Sequence, residues 1–185
     1  YTLLVGSRNV ILNRPDAVTY YGGDAFRWQF ALPLEARLYH GETLYGEHVG
    51  YTDTGALIMD AHDTTIVQDK TFSKTYGKTM RYVYGASEGE TRTYIYRITM
   101  TNDQGVVTEL SDAQMRKRAK ELGLQCVPVL AQHIYTGNPD DLRAVVESLT
   151  DGSSILDASH IREGVVVRVD APDGTTTWYK NKAFA

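Results

Sequence analysis

Residues 163–182 read EGVVVRVDAPDGTTTWYKNK and predict two strands joined by a polar turn at residues 172–174. Glu163 directly precedes the first strand, and the second strand carries Lys180 and Lys182. Since side chains alternate between the two faces of a strand, both lysines are expected on the same face. Two ammonium groups so placed repel each other unless an anion lies between them, and a phosphate would meet that need.

The composition favours one soluble domain, rich in β-sheet, over residues 1–185. Hydrophobic residues make up 42% of the 185 residues and charged residues 23%, which is enough to bury a sizeable core. Thirteen tyrosines and many Val, Ile and Thr favour strands. The formal charge of −4 does not favour a nucleic-acid-binding domain, although a local groove can be basic on an acidic protein. The single cysteine, Cys126, excludes an internal disulfide and a cysteine zinc site.

The sequence also predicts where the protein works. No apolar run approaches the ~20 residues needed to span a membrane, and no signal peptide is visible. Together with the single cysteine, these features favour a reducing compartment, so we expect a cytoplasmic protein with no membrane partner. The chain starts at Tyr1 within a predicted strand and without an initiator methionine, which we interpret as the start of an excised fragment.

The rest of the chain predicts an α+β fold, with antiparallel sheets and a few helices packed on them. Short runs separated by turn signals predict strands at Thr2–Val5, Asn9–Leu12, Glu35–Tyr39, Thr43–Val49, Thr79–Tyr84 and Thr91–Thr101. One helix is expected to begin at Ser111 or Asp112 and to end at Gly123. A second helix is expected to begin after Asn138 and to end before Gly152.

Two of these strands carry polar and aromatic side chains on one face. Alternation places Tyr45, Glu47 and Val49 together on the first, and Tyr94, Tyr96 and Ile98 together on the second. The aromatic rings would suit a planar ligand, and the phosphate expected at the two lysines would suit a nucleoside triphosphate with its divalent metal. Because neither GxxxxGK(S/T) nor GxGxxG occurs in the chain, this pocket would be built on sheet faces.

Five elements, taken in order, resemble the motifs of the covalent nucleotidyltransferases. They are GSRN at Gly6–Asn9, LYGEHVG at Leu44–Gly50, YIYRI at Tyr94–Ile98, EGVVVR at Glu163–Arg168 and KNK at Lys180–Lys182. That superfamily contains ATP-dependent RNA ligases, DNA ligases and mRNA capping enzymes, and the resemblance is strongest to the adenylyltransferase domain of RNA ligases. The resemblance covers nearly the whole chain and implies the nucleotidyltransferase fold of the ATP-grasp-like ligases.

The resemblance implies an ATP-dependent reaction in three steps, with Mg²⁺ or Mn²⁺ as the metal. A lysine attacks the α-phosphate of ATP, which gives lysyl-AMP and releases pyrophosphate. AMP then moves to an RNA 5′-phosphate, and an RNA 3′-OH displaces AMP to seal the strand. The implied partner is therefore RNA with 5′-phosphate and 3′-OH ends, as in a nicked duplex, and the implied role is RNA repair.

Three motif residues would bind the nucleoside side of ATP, by the same resemblance. Arg8 would contact the nucleotide, Glu47 would accept a hydrogen bond from the ribose hydroxyls, and Tyr96 would stack on adenine. Taken singly, Glu47 is more typical of a surface acid and Tyr96 of packing within a sheet. It is the ordered set of motifs that favours the functional interpretation.

Four further motif residues would act at the phosphates. Glu163 would help to hold the divalent metal, and Lys180 and Lys182 would neutralise the α-phosphate as charge builds on it. Arg168 is a further candidate for a phosphate contact. The alternative for the two lysines is that they are solvated edge-strand charges, which deter aggregation.

The nucleophilic lysine of the family is not found where the motif order requires it. In the family it lies in a K-x-(D/H)-G motif upstream of the SRN element, and the residues before Arg8 contain no lysine. Lys74 lies in a K-x-x-G stretch, but this stretch follows LYGEHVG, so we interpret Lys74 as a loop lysine. We therefore expect a domain that retains a nucleotide pocket but is inactive by itself.

Two other classes of function stay open. A DNA ligase or capping enzyme would share the pocket, but an OB-fold domain normally follows its KxK element, and three residues follow it here. A non-catalytic nucleotide- or RNA-binding module is favoured by the missing lysine.

The predicted helix after Ser111 is basic in its second half. Its four basic residues are Arg116, Lys117, Arg118 and Lys120. We interpret them as a solvated helix face that the helix dipole favours, with contact to RNA as the alternative. The five histidines show no zinc spacing and are assigned no role.

Overall fold

The structure is a computed structural model that describes residues 1–18, 22–66 and 71–182. The chain divides into two units. The first unit comprises Tyr1–Met59 and Ala86–Cys126, and the second comprises Asp60–Gly85 and Val127–Ala185. Each unit therefore brings together residues that are far apart in the sequence.

The elements confirm a mixed α+β architecture. In chain order they are α1 (Ala25–Ala31), β1 (Glu42–Gly50), β2 (His62–Asp63), α2 (Phe72–Tyr76), β3 (Thr79–Met80), β4 (Thr91–Thr101), β5 (Val107–Glu109), α3 (Asp112–Leu122), β6 (Gln125–Cys126), α4 (Pro139–Thr150), β7 (Gly164–Asp170) and β8 (Thr176–Lys182). The described strands pair antiparallel, except that the short β6 runs parallel to β4. No helix in the described part of the chain is long and apolar enough to cross a membrane.

The sheet of the first unit is built around β4, and its register contains an irregularity. β1 and β5 pair with β4 on opposite sides. Along β1, Tyr45 pairs with Arg97 whereas the next residue, Gly46, pairs with Ile95. Tyr96 is therefore an extra residue in β4, which makes it a β-bulge.

The bulge corrects the prediction that Tyr94, Tyr96 and Ile98 share a face. Because one residue is inserted, the alternation of side chains shifts between Ile95 and Ile98. Both isoleucines are fully buried in one cluster with Met115 of α3. Ile98 thus belongs to the core face of the sheet, and the two tyrosines are not aligned with it.

Side chains alternate along β1, but Val49, which was predicted on the face of Tyr45 and Glu47, is buried at 2% exposure. Leu44 packs against the core cluster, and His48 lies between the ring edges of Phe26 and Phe30 in α1, at centroid distances of 5.3 and 5.5 Å. Burial, with a smaller contribution from the charge of Arg27, lowers the pKa of His48 to about 4. A histidine that is neutral at pH 7 is compatible with a core position.

Both long helices occur where the sequence predicts them. In α3, Ser111 and Gln114 form a capping box, and Gly123 ends the helix in the left-handed conformation with φ 75°. In α4, the side chain of Asn138 accepts a hydrogen bond from the backbone N–H of Asp140. Local capping chemistry therefore fixes the bounds of both helices.

Arg118 differs from the prediction of a solvated basic face on α3. Its guanidinium donates two hydrogen bonds of 2.8 Å to the carboxylate of Glu42, whose side chain is 1% exposed. It also donates to the carbonyl of Arg37 at 2.8 Å. The side chain of Arg118 is 12% exposed, because it joins α3 to the start of β1.

Three predicted strands are absent, and a fourth is shorter than predicted. Neither Thr2–Val5 nor Asn9–Leu12 forms a strand, and this part of the chain has an isolated bridge between Gly6 and Ile11. Residues 35–39 form turns after the 3₁₀ helix Leu32–Leu34, and their backbone hydrogen bonds run locally. Of residues 79–84, only those of β3 form a strand, and β3 pairs with β2.

The closing hairpin of the second unit is confirmed as the two-stranded ribbon β7–β8. α4 lies against this ribbon, and the side-chain amide of Asn181 donates to the hydroxyl of Thr150 at 2.7 Å. Thr150 in turn donates to the carbonyl of Val146 at 2.7 Å. Because Asn181 points toward α4, Lys180 and Lys182 on either side of it point away from the helix.

Gly164 begins β7 where its backbone touches the partner strand. It has φ 136°, and a Cβ there would lie 2.1 Å from the carbonyl oxygen of Asn181. No side chain fits at that distance. The glycine after Glu163 is therefore required by the close approach of the two strands, and its positive φ interrupts the alternation of the ribbon at Glu163.

We predict that Gly164→Ala lowers the free energy of unfolding by about 3 kcal/mol, because alanine must adopt a positive φ and displace the backbone of Asn181. Gly174→Ala is the matched control. Gly174 has φ 84°, but nothing lies within 4 Å of an added Cβ. Its substitution should cost only about 1 kcal/mol. Urea denaturation of both variants measures the difference, and equal losses would contradict the close-approach argument.

A second prediction concerns the acid sensitivity of the Glu42–Arg118 pair. Burial alone would raise the pKa of Glu42, but hydrogen bonds from Arg118 and from the backbone N–H of Tyr39 lower it below its ordinary value of 4.5. A pKa that is lower in the folded chain means that the pair stabilises the fold above pH 4.5. This stability is lost as the pH falls through the folded-state pKa.

Glu42→Gln should therefore cost about 3 kcal/mol at pH 7, since it leaves a poorly hydrated guanidinium without its carboxylate. The variant should also lose less stability than the wild type on acidification. Glu35→Gln is the control, because Glu35 pairs with Arg14 at an exposed position and should change stability little. Urea denaturation at pH 7 and in acid checks both. Equal effects of the two substitutions on the free energy of unfolding would show that the buried pair stabilises the fold no more than the exposed pair.

Candidate functional site

The first unit carries an aromatic cluster, which consists of Arg8, Tyr45, Glu47 and Tyr96. Leu44 and His48 pack into the core. Tyr45 follows Leu44 and Glu47 precedes His48, so both lie on the opposite face of β1. The rings of Tyr45 and Tyr96 lie 6.5 Å apart with an interplanar angle of 43°. The structure therefore brings these two aromatic rings onto the side of the sheet away from the core.

The pKa of Tyr96 depends on two further predicted residues. Burial first, and then the negative charge of Glu47, raises the pKa of the Tyr96 hydroxyl, while the positive charges of Arg97 and Arg8 oppose this shift. The phenol therefore stays protonated at neutral pH. Arg8 and Glu47, which lie far from Tyr96 in the sequence, thus both act on its hydroxyl in the folded unit.

Arg97 belongs to this face and was missed by the sequence analysis. Its guanidinium lies 4.9 Å from the ring centroid of Tyr45, and it forms an ion pair of 3.0 Å with Glu109 of β5. Regular alternation would put Arg97 and Tyr96 on opposite faces. The bulge at Tyr96 changes this, and no periodicity in the sequence indicates a bulge.

The second unit carries the two predicted lysines on one face of the β7–β8 ribbon. Lys180 pairs with Val166, and Lys182 pairs with Gly164. Both lysines are exposed, and neither forms an ion pair with another described residue. Their positive charges are therefore accessible to an anion from solution.

Arg168 lies on the same face of the ribbon but is already engaged. It pairs with Trp178, and its guanidinium lies 4.9 Å from the indole ring centroid. Its Nε donates to Asp170 at 2.7 Å, and its side chain is 11% exposed. A phosphate contact by Arg168 stays a prediction, and it would have to compete with Asp170.

Glu163 lies one residue before β7, next to two tyrosines. The hydroxyl of Tyr84 donates to Oε1 of Glu163 at 2.6 Å. Burial, with a smaller contribution from the charge of Glu163, raises the pKa of Tyr82 to about 12. The sequence analysis missed Tyr84, since nothing in its local pattern links it to an acid 79 positions later.

The donor set at Glu163 fits a metal that arrives with phosphates. Among the described residues, no group of three or more His, Cys, Asp or Glu side chains is placed to hold a metal ion. Mg²⁺ usually takes one or two carboxylates and completes its shell with water and substrate phosphates. One carboxylate at Glu163 is consistent with that mode of binding.

Lys74 lies in the last turn of α2 and is exposed, so its interpretation as a loop lysine is wrong. The helix comprises five residues of the second unit. No described contact of Lys74 sets it apart as a nucleophile.

The comparison with known proteins bears on the whole chain. A family model described as RNA ligase matches residues 2–182, which includes all five motifs from GSRN to KNK. No curated protein and no solved structure matches the chain. A family model that covers nearly every residue is sufficient for assignment, and the chain belongs to the RNA ligase family.

Proposed function

We propose that this chain is the adenylyltransferase domain of an ATP-dependent RNA ligase. The parent enzyme would join RNA 5′-phosphate and 3′-OH ends through lysyl-AMP and RNA-adenylate intermediates. The observation that carries the proposal is the aromatic cluster, in which the rings of Tyr45 and Tyr96 lie 6.5 Å apart and the charges of Glu47 and Arg8 both act on the Tyr96 hydroxyl. The membership of the chain in the RNA ligase family supports it.

The aromatic cluster would bind the nucleoside part of ATP. The Tyr96 ring offers a face for stacking on adenine, and such stacking is worth ~1–3 kcal/mol. Glu47 would accept hydrogen bonds from the ribose hydroxyls, and Arg8 would contact the nucleotide. Tyr96 is partly buried, so part of its side chain is exposed to solvent.

Lys180 and Lys182 of the β7–β8 ribbon, called the ribbon lysines below, would act at the phosphates. As the attacking amine forms its bond to the α-phosphorus, the bond to pyrophosphate breaks and negative charge builds on the phosphate oxygens. Lys180 and Lys182 would lie against this charge, and preorganised donors of this kind lower the barrier directly. Glu163 would hold Mg²⁺ or Mn²⁺, which would supply further neutralisation of the phosphates when bound.

These 185 residues contain no lysine at the place where the family motif order puts the attacking amine. The chain contains no K-x-(D/H)-G motif before Arg8, so we propose that it binds ATP but forms no lysyl-AMP alone. The second candidate function, a non-catalytic nucleotide- or RNA-binding module, is favoured by the same observation. Lysyl-AMP formation by a protein that adds the K-x-(D/H)-G segment distinguishes the two.

We predict that Tyr96→Ala weakens the binding of adenosine and of ATP by the same factor, about 5- to 150-fold, from the ~1–3 kcal/mol of a stacked base. Tyr96→Phe keeps the ring and should be mild. Tyr135→Ala, which removes an exposed tyrosine elsewhere, is the control. Calorimetric titration measures affinity, and thermal unfolding checks the fold. If both Tyr96 variants bind like the wild type, Tyr96 is a packing residue and the proposed site is wrong.

Substitution of the ribbon lysines should affect the binding of ATP but not that of adenosine. Lys180→Ala and Lys182→Ala are expected to weaken ATP binding about tenfold while leaving adenosine binding unchanged, because they contact only phosphates. In a protein that carries the K-x-(D/H)-G motif, each should slow adenylation by roughly 10²–10³-fold. Arginine should not rescue, since a planar guanidinium does not replace a compact ammonium.

Lys117→Ala and Lys120→Ala, at exposed positions of α3, are the matched controls for the loss of one positive charge. Normal ATP binding and adenylation in the Lys180→Ala, Lys182→Ala double variant would show that the ribbon lysines are solvated edge-strand charges and do not contact phosphate. The same outcome would remove Lys180 and Lys182 from the proposed function.

A further inference from the structure

Tyr84 has a backbone conformation that needs an explanation. With φ 51°, it is the one non-glycine residue in the described part of the chain with a positive φ. A side chain in the left-handed region costs about 1–2 kcal/mol. Such strain persists only where the surrounding contacts hold it, and it is often found where a side chain must be aimed.

Two sets of contacts hold Tyr84 in place. The backbone N–H of Gly85 donates to Oδ2 of Asp157 at 3.0 Å, which fixes the turn directly after Tyr84. Burial alone would raise the pKa of Asp157, but hydrogen bonds from Ser159 and Gly85 lower it, so this acceptor is charged at neutral pH. The turn is therefore tied to a fixed anion.

The ring of Tyr84 packs against a fully buried histidine. His160 has no exposed surface, and its ring lies edge-on to Tyr84 at a centroid distance of 4.6 Å. Its Nδ1 lies 2.8 Å from the carbonyl of Ile161. Because a carbonyl only accepts, Nδ1 carries a hydrogen there, and the imidazole is fixed as a wall for the tyrosine ring.

These contacts aim the Tyr84 hydroxyl at one oxygen of Glu163. The 2.6 Å distance to Oε1 is typical of a strong hydrogen bond to a charged acceptor. A carboxylate has two oxygens, and this bond engages Oε1, whereas no described hydrogen bond engages Oε2. A carboxylate that ligates a metal is commonly oriented in this way by a neighbouring donor.

We propose that Tyr84 is a positioning residue for Glu163, which it holds through Oε1 so that Oε2 is presented to a divalent cation bound to the nucleotide phosphates. This inference rests on the proposed function, since it takes Glu163 as the carboxylate for that cation. The strained backbone of Tyr84 is then the cost of a fixed ligand. The hydrogen bond from Tyr84 to Glu163 would strengthen only the part of nucleotide binding that depends on the metal.

The test compares ATP binding in excess Mn²⁺ with ATP binding in EDTA, by calorimetric titration of the 185-residue chain. The ratio of the two affinities is the gain that the metal provides. Removal of a partner that orients a metal ligand weakens metal affinity about 10- to 100-fold. Tyr84→Phe should therefore reduce the gain by about that factor and leave the affinity in EDTA unchanged.

Three further variants make the result specific. Glu163→Gln should abolish the gain, and the Tyr84→Phe, Glu163→Gln double variant should be no worse, because the hydroxyl acts only through the carboxylate. Tyr179→Phe removes the hydroxyl of an exposed tyrosine on the same ribbon and should change nothing. Thermal unfolding of each variant reports the stability of the fold separately.

The outcomes separate the two proposals. If Glu163→Gln abolishes the gain while Tyr84→Phe retains it, the positioning role is wrong and the proposed function stands. An equal loss of affinity with and without Mn²⁺, or a lowered unfolding temperature alone, makes Tyr84 a structural residue and also overturns the inference. If the wild type does not bind ATP, the proposed function fails, and the positioning role fails with it.

Discussion

One extra residue in β4, Tyr96, decides which side chains of the first unit are buried and which are available to a ligand. Strict alternation would place Ile95 and Ile98 on opposite faces, and one of these fully buried side chains could not reach Met115. The bulge lets both isoleucines join the core and leaves Tyr96 beside Tyr45. Bulges are common next to active sites because they re-aim a side chain. Here the same irregularity completes the core and assembles the aromatic cluster.

The chain uses its positive charges in two different ways, and their surroundings distinguish them. Arg118 is almost fully covered and is bound by the carboxylate of Glu42, so its charge is consumed in joining a helix to a strand. Lys180 and Lys182 are exposed and form no ion pair with the described residues around them. A buried pair has already lost its water and has little to offer a ligand, whereas a solvated ammonium can exchange water for phosphate. The difference favours the ribbon lysines over the helix arginine as ligands of an anion.

The sequence predicts the elements whose signals are local and misses those that depend on the fold. The bounds of α3 and α4 follow from Ser111 and Asn138, and the whole of β4 follows from its β-branched and aromatic run. The bulge at Tyr96 has no local signal, because it is a property of the pairing with β1. Residues 35–39 contain no β-branched residue and form turns, because neither their composition nor a partner strand supports a strand there. The residues of the aromatic cluster were predicted through motif order, whereas Arg97 and Tyr84 depend on contacts that no spacing encodes.

The ribbon that carries the lysines has little support of its own. A two-stranded ribbon is only marginally stable in water, so its position depends on what packs against it. In the second unit this support includes the Asn181–Thr150 hydrogen bond, made by the residue between the two lysines, and the close backbone approach at Gly164. The ammonium groups contribute nothing to that support and face away from α4. Anchoring and function are thus assigned to alternate residues of one strand, so the lysines are free to respond to a ligand while Asn181 keeps the strand in register.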